Sequence, residues 1–580
     1  MDVAIFDIPH IIDSIGQCLN QSDLFSCILV SRQWHSAFIP ILWAEPEYTQ
    51  KKSVQILPTA LWRYRHHIRS IKQPWIARLF LEPLPIIATV PRTRLGTEEN
   101  EQAEVEWSFP NIQSFCFHDN AYSFGFRNSL KPDTIDGQMR LARMASSFTS
   151  LKTFNIHLDG WGNRVLIALM ASVNILRSYN NLREVSLSVL DPEEYRSELI
   201  ACCFHLPLLN AFGLEIKRTI GLTPVTLAEF HDQLQRSIEK ISPVSATSTT
   251  LTPTAPKPIA TTKIQNFKLA ISGFLEKGSI LPLFIERCPS LKSISISDSG
   301  SADGSLGTEF IRMVKDGRVP SLEHAYFRSA NEDIHYPELS FIDLIQSTGA
   351  VSNGGGKGLK TLAVNRGFDG FSDQCLMDLQ QYHSKTMTRL EVGDYMQTSL
   401  FSTLLDSLPE LKTLKLSLTY GYEPKLPLSQ SLVARGPKNL TTLVLKSRFD
   451  PEHKTEYKHL NYIYAQVSLL DQLQKLQVYT DRRNQLSLRY NNLKQLKTLK
   501  SLKKFSCFHL HNLNIDPRRE YPIHRFSRAD AEWMDENWPA LNEVNLGHDL
   551  CQIEFSTRLN ELRPAERTRH LFSDYDKFDF

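Results

Sequence analysis

The sequence predicts an α/β chain in two parts: a small three-helix module at the N-terminus, then a long array of helix–turn–strand repeats. Three observations carry that prediction. The length of 580 residues is too great for one compact core and points to several domains or an extended repeat architecture. The opening residues hold three apolar, helically periodic segments separated by breaks. Beyond them a short apolar-x-x-apolar-x-apolar pattern recurs, often behind a proline.

The helical module occupies residues 1–45. Ile8-Pro9 opens a segment in which Ile11, Ile12, Ile15 and Leu19 stand at helical spacing. Asn20-Gln21-Ser22 breaks it, and Ser22 or Asp23 is expected to cap a second helix carrying Leu24, Phe25, Cys27, Ile28 and Val30. A third segment runs from Arg32 through Trp34 and Phe38 to Pro40 and Leu42-Trp43. Three helices this short close a poor core alone. A partner should therefore cover much of their apolar surface.

Ile8-Pro9, Asp23-Leu24, Val30-Ser31-Arg32-Gln33-Trp34 and Leu42-Trp43 follow one another in the order and spacing of the F-box pattern, which this segment resembles. Ser31 stands where that family commonly has Cys, and His10-Ile11 where it often has a residue followed by Glu. The resemblance implies docking to the Skp adaptor subunit of cullin-type ubiquitin ligases. Ile8, Pro9, Ile12, Ile15, Leu24, Val30 and Trp34 would form or support that docking face. The alternative is a helical cap on the repeat array, since such arrays need capped ends.

Residues 46–104 read as a linker or first irregular repeat, with a polar, acidic insertion at 93–104. The array itself is expected over 105–550. The bare apolar pattern would arise by chance ~20–40 times in a chain this hydrophobic. Preceded by proline it is informative: Pro110, Pro207, Pro289, Pro320, Pro409 and Pro539 each lie two residues ahead of such a triad, where chance gives about one or two. Further copies begin at Leu151, Leu182, Ile264, Leu359, Met387, Leu440, Leu473 and Leu502. Most starts lie roughly 24–39 residues apart. Apolar stretches such as 165–170 and 401–405 between them read as helices, and each helix should end before its proline, which disfavours helical geometry in the preceding residue. The array resembles irregular leucine-rich repeats. That resemblance implies a curved solenoid with parallel strands on the concave face and helices on the convex face.

Three features lie outside the repeats. Residues 242–262 are rich in Ser, Thr and Pro and read as a flexible insertion. The glycine-rich stretch within 348–358 lacks the spacing of a phosphate-binding loop and reads as an ordinary loop. Residues 551–580 are a C-terminal cap or tail in which acidic and aromatic residues mix, including Asp574, Tyr575, Asp576 and Phe578.

Composition and motifs argue against several classes of function. A net charge of +2 favours neither nucleic acid nor membrane as a partner. No run reaches the ~18 apolar residues a membrane helix needs. The acidic start, interrupted by Pro9, does not read as a signal peptide. Nine scattered cysteines suit a reducing compartment, so cytosol or nucleus is expected. No zinc-ligand spacing, HExxH, Gly-x-Ser-x-Gly or dinucleotide fingerprint occurs; Cys202-Cys203 near His205 and the lone Cys551 have no activating context. No catalytic residue, metal or cofactor is therefore expected.

In strands of this kind, residues alternating with the buried triad line the face away from the helices. The earlier repeats place Thr153, Asn155, Glu184, Ser186, Ser293 and Ser295 there. The later ones place Lys415, Lys475 and Lys504, with Lys446 and Tyr479 expected just past the strands and Phe508 nearby. An acidic or phosphorylated protein segment is the expected ligand of this partly basic face. The whole reads as a non-catalytic substrate receptor joining the Skp adaptor to a protein substrate. A plain leucine-rich scaffold and a phosphoprotein- or RNA-binding solenoid are the competing readings.

Overall fold

The computed structural model describes residues 9–46, 58–72, 109–118, 147–158, 173, 175–177, 179–190, 194–217, 227–241, 262–272, 281–298, 305–329, 338–350, 358–365, 371–398, 400–419, 437–447, 456–480, 492–509, 526–546 and 553–562. The chain divides into two units, Met1–Ser290 and Leu291–Phe580.

The first unit begins with helices α1 (Pro9–Cys18), α2 (Gln21–Ile28), α3 (Arg32–Leu42) and α4 (Pro58–Tyr64). Strands β1 (Ser70–Ile71), β2 (Ser114–His118), β3 (Thr153–Leu158), β4 (Glu184–Leu190), β5 (Ala211–Lys217) and β6 (Asn266–Ser272) follow. Helices α5 (Glu194–Phe204), α6 (Leu227–Ile241) and α7 (Leu281–Ile285) lie among and after them. All five successive strand pairs are parallel and follow chain order.

In the second unit β7 (Ser293–Asp298), β8 (His324–Ser329), β9 (Thr361–Val364), β10 (Arg389–Gln397) and β11 (Thr413–Thr419) alternate with α8 (Ser305–Lys315), α9 (Glu338–Ala350), α10 (Asp373–His383) and α11 (Leu400–Ser407). Then come β12 (Thr442–Ser447), α12 (Glu456–Val467), β13 (Lys475–Thr480), α13 (Asn492–Gln495), β14 (Lys504–His509), α14 (Arg528–Asn537), β15 (Glu543–Leu546) and α15 (Ile553–Leu562). These strands too pair in parallel and in sequence.

Each of the fourteen repeat starts read from the sequence carries a strand, β2 to β15. β1 was not among them, because a two-residue strand is too short to alternate. The predicted helix over 165–170, the acidic insertion and residues 242–261 lie outside the described residues.

The proline signal has a direct cause. Leu408, Leu206 and Trp538 each accept a turn-closing bond from the amide three residues on, at 3.2, 3.3 and 3.0 Å, with Pro409, Pro207 and Pro539 at the second position. Proline's fixed φ suits that position of a turn. The residue before the proline and the leucine that closes the turn are both buried, so the turn clamps the chain between helix and strand.

A second recurrence ties neighbouring strands together. Ahead of β2 to β6 and β8 to β15, two successive amides donate to one carbonyl of the preceding repeat: Lys152 and Thr153 to Gln113, Arg183 and Glu184 to Lys152, Gln474 and Lys475 to Thr441. The first acceptor in the series belongs to the helical module, whose Ala44 carbonyl receives Arg69 and Ser70 at 2.8 and 3.0 Å. The stacked rings of Trp43 and Tyr64, 4.9 Å apart, and the Lys72–Glu45 ion pair reinforce that junction.

Alternation puts one row of each strand against the helices, while several residues of the opposite row, among them Thr361, Ala363, Ser417, Val444, Tyr479 and Ser506, are buried as well. Phe115, Phe154, Val185, Phe212 and Phe267 align across the first unit, and Leu414, Leu443, Leu476, Phe505 and Val544 across the second; all are buried. Helix side chains pack on this row, Phe204 against Phe212 at 5.7 Å and Phe310 against Phe327 at 6.0 Å.

Two positions show how closely the repeats approach. At Gly393, where the β10–β11 register shifts, any Cβ would sit 1.6 Å from the Asn365 carbonyl oxygen, so only glycine fits. His383 is fully buried at the end of α10: its Nδ1 accepts the Leu359 amide at 3.2 Å, and its Nε2 donates to the Ile345 carbonyl at 2.9 Å. This arrangement requires a neutral imidazole, and burial lowers its pKa. One side chain thus links α9, α10 and the start of β9.

Candidate docking faces

The first candidate is the helical module. Ile12, Leu24 and Phe38 form its small core, with Leu19, Cys27, Ile28, Trp34, Ala37, Ile41 and Leu42 packed around them. Asn20, rather than Ser22 or Asp23, caps α2, accepting the Asp23 amide at 2.9 Å; a cap side chain reaches the third helical residue, which excludes the two residues already inside the first turn. Ser31 caps α3 through the Trp34 amide at 3.2 Å. Pro40 lies within α3. Gly16 lets α1 approach α3, since a Cβ there would meet Ile41 Cδ1 at 2.4 Å.

The residues singled out from the sequence separate into two groups. Ile12 and Leu24 are buried and build the module, and Trp34 is half-buried with its ring 5.6 Å from Phe38. Ile15 and Val30 face solvent. Pro9 is the first residue of α1, while Ile8 lies outside the described residues.

Three exposed residues were missed as site residues: Ile11, Phe25 and Leu29. Phe25, Leu29 and Val30 are 56, 70 and 65 % exposed at the end of α2. Phe25 and Leu29 stand one turn apart, beside buried Leu24 and partly buried Ile28. The signal was present as an apolar arc on α2 wider than three short helices can cover.

The second candidate is the helix-distal face of β11 to β14. One register row reads Thr413, Thr442, Lys475, Lys504 and, on β15, Glu543. The next reads Lys415, Val444, Gln477 and Ser506, and the third Ser417, Lys446, Tyr479 and Phe508. Lys446 and Tyr479 therefore sit inside β12 and β13, not past their ends as expected. The strands run two residues longer than the apolar triad alone indicates.

The rows differ in chemistry. Lys415 is paired with Glu391 at 3.2 Å, and Lys504 with Glu543 at 2.6 Å, so part of the lysine charge is already compensated. Lys475, between Thr442 and Lys504, has no ion-pair partner among the described residues. In the third row the Tyr479 and Phe508 rings stack at 5.1 Å and 26°, and Lys446 Nζ lies 5.9 Å from the Tyr479 ring centre. Tyr479 is buried, and burial pushes its phenol up to about 12, so it stays neutral. Ammonium groups thus stand at one end of these strands and a stacked aromatic pair, with Tyr479 buried, at the other.

Elsewhere the chemistry is quiet. Cys202 and Cys203 are buried in α5, and burial raises both thiols, the opposite of nucleophile activation. Among the described residues no cluster of three or more His, Cys, Asp or Glu side chains could hold a metal ion, and no helix is long and apolar enough to cross a membrane. Cys551 lies outside the described residues. No protein-family model matches the chain, and no curated protein matches it either.

Proposed function

We propose that the chain is a non-catalytic substrate receptor of a Skp–cullin–F-box ubiquitin ligase, with an F-box as its helical module and leucine-rich repeats as its array. The module docks the Skp adaptor, and the lysine-bearing face of β11 to β14 receives an acidic or phosphorylated protein segment. The mechanism is positional. Holding substrate lysines near a ubiquitin-loaded enzyme in the same complex raises their effective concentration.

The observation that supports this reading is the exposure of apolar Phe25, Leu29 and Val30 at the end of α2, together with that of Ile11 and Ile15 on α1. A cap that merely ends a repeat array needs a polar outer face. This module has an apolar one, as a docking element does.

The competing reading, a scaffold whose module is only a cap, draws on the Ala44 carbonyl, which continues the inter-strand bonding series into the module. A pull-down with purified Skp adaptor separates the two. Wild type should bind, Leu29→Glu/Val30→Glu should lose binding with the fold intact, and Trp34→Ala/Pro9→Ala should lose it as well. A well-folded wild type that fails to bind would leave the scaffold reading. For the second face, Lys475→Glu/Lys504→Glu should abolish substrate capture, and unchanged capture would remove that face from the proposal.

A further inference from the structure

The stretch that leads into β14 has a period of three. Leu493, Leu496, Leu499 and Leu502 are fully buried, and the residue after each, Lys494, Lys497, Lys500 and Lys503, is exposed. After α13 the chain tightens into a 3-10 turn over Leu496–Thr498, and the Leu499 and Leu502 amides donate to carbonyls three residues back, both at 3.1 Å. In such geometry residues three apart lie one above another, at a step of about 6 Å. The leucines thereby enter the core along one line, and the lysines form an exposed ridge along another.

Among the described residues no carboxylate pairs with these four lysines. Lys500 donates to the Asn537 carbonyl at 2.9 Å, which leaves its charge uncompensated. The ridge leads into Lys504, the first residue of β14, and Lys504 is the register neighbour of Lys475. It is also narrow. In the turn of the preceding repeat, exposed Asp471 holds the place that Lys500 holds here, and exposed Glu536 stands next to Asn537. A planar anionic surface would press those carboxylates against like charge, whereas a single acidic strand can lie along the ridge between them. An extended protein segment brings every second side chain to one side, ~6.8 Å apart, close to the lysine step.

We infer that the ridge of Lys494, Lys497, Lys500 and Lys503 binds an extended protein segment with carboxylates at alternate residues, and leads it onto Lys504 and Lys475. The inference rests on reading the helix-distal face of β11 to β14 as a receptor for acidic segments. It adds a requirement on the substrate: its acidic run extends beyond the part that meets the strands, with an acid at every second position.

The test uses the full chain and fluorescent peptides, followed by anisotropy at low salt. A peptide of alternating Glu and Ser should bind at least ~5-fold more tightly than one with the same number of glutamates at every third residue, with an affinity that falls as salt rises. Lys494→Gln/Lys497→Gln/Lys503→Gln, which spares the Lys500 bond to Asn537, should weaken the alternating peptide at least ~5-fold, with circular dichroism confirming the fold. Lys494→Arg/Lys497→Arg/Lys503→Arg should retain it. Equal binding of the two peptides, or binding that survives the glutamine changes, would overturn the inference. So would an oligouridylate that binds through these lysines more tightly than the alternating peptide. Lys475→Gln/Lys504→Gln distinguishes the two levels of claim. If it weakens the peptide while the ridge variant does not, the ridge inference fails and the receptor reading of the face stands. If neither variant weakens it, both fail.

Discussion

The sheet of the first unit and the later strands of the second share one backbone plan and carry different surfaces. Across β2 to β6 the leading helix-distal row is Ser114, Thr153, Glu184, Ala211 and Asn266. Across β11 to β15 the equivalent row is Thr413, Thr442, Lys475, Lys504 and Glu543. The buried rows differ as well, mostly phenylalanine in the first and leucine in the second, yet both give parallel strands with the same two-amide bond to the preceding repeat. Architecture here tolerates large changes in side chains on either face. The helix-distal rows differ in charge between the units while the strand plan does not.

The largest effects should come from the buried rows, where the two units ought to behave alike. Phe154→Ala in β3 and Leu476→Ala in β13 each leave a cavity among fully buried neighbours, and each should cost ~2–5 kcal/mol in denaturant titration. Hydrogen exchange should show the loss mainly in the mutated unit. A loss spread evenly over both units would end the treatment of the units as separate cores.

Next in size is Gly393→Ala in β10. The added methyl collides with the Asn365 backbone, so a loss of ~1–3 kcal/mol is expected, against a few tenths for an alanine in the helix-distal row of the first unit. A neutral result in a melt would mean that the β10 irregularity relaxes freely.

His383 sharpens the comparison through pH. In the unfolded chain its imidazole takes up a proton near the ordinary 6.5, while burial depresses the folded value. The unfolded state then binds more protons just below that pH. Stability is complete above about pH 6.5 and falls as pH drops through the depressed value. His383→Gln should be less stable at pH 8 and show a shallower acid slope, measured as urea midpoints from pH 8 to 5. An unchanged slope would mean that other groups dominate acid unfolding, among them His205 and His324, whose pKa values burial also lowers.

The smallest stability change belongs to exchanging the helix-distal rows. Lys475→Thr/Lys504→Thr makes the second unit resemble the first. It removes only the exposed Lys504–Glu543 pair, so stability should move by less than ~1 kcal/mol. Binding of an acidic peptide, read by anisotropy, should nonetheless be lost. A stability change as large as that of Leu476→Ala would show these lysines to be structural.

Much of this was legible because it is local. Alternation in Leu414, Leu416 and Leu418, or the turn at Leu408-Pro409-Glu410-Leu411, depends on residues a few positions apart, and so the strands could be read directly. The cap of α2 was misplaced, since Asn20, Ser22 and Asp23 are all competent caps and only the helix start decides among them. Lys446 and Tyr479 were placed beyond their strands because pairing with neighbours, not the apolar triad, sets strand length. In the module, Ile12 and Leu24 could be read as apolar but not as buried, nor Phe25 and Leu29 as exposed.

The sequence by itself determined the order of elements, the position of nearly every strand and which residues of each strand face the helices. These follow from periodicity, turn chemistry and proline geometry, all short-range. Only the tertiary structure decided which lysines already hold a carboxylate, that Tyr479 and Phe508 stack, that Ala44 joins the module to β1, and that His383 links two helices and a strand. Each depends on distances between residues about 20 to 40 positions apart, which no local pattern encodes.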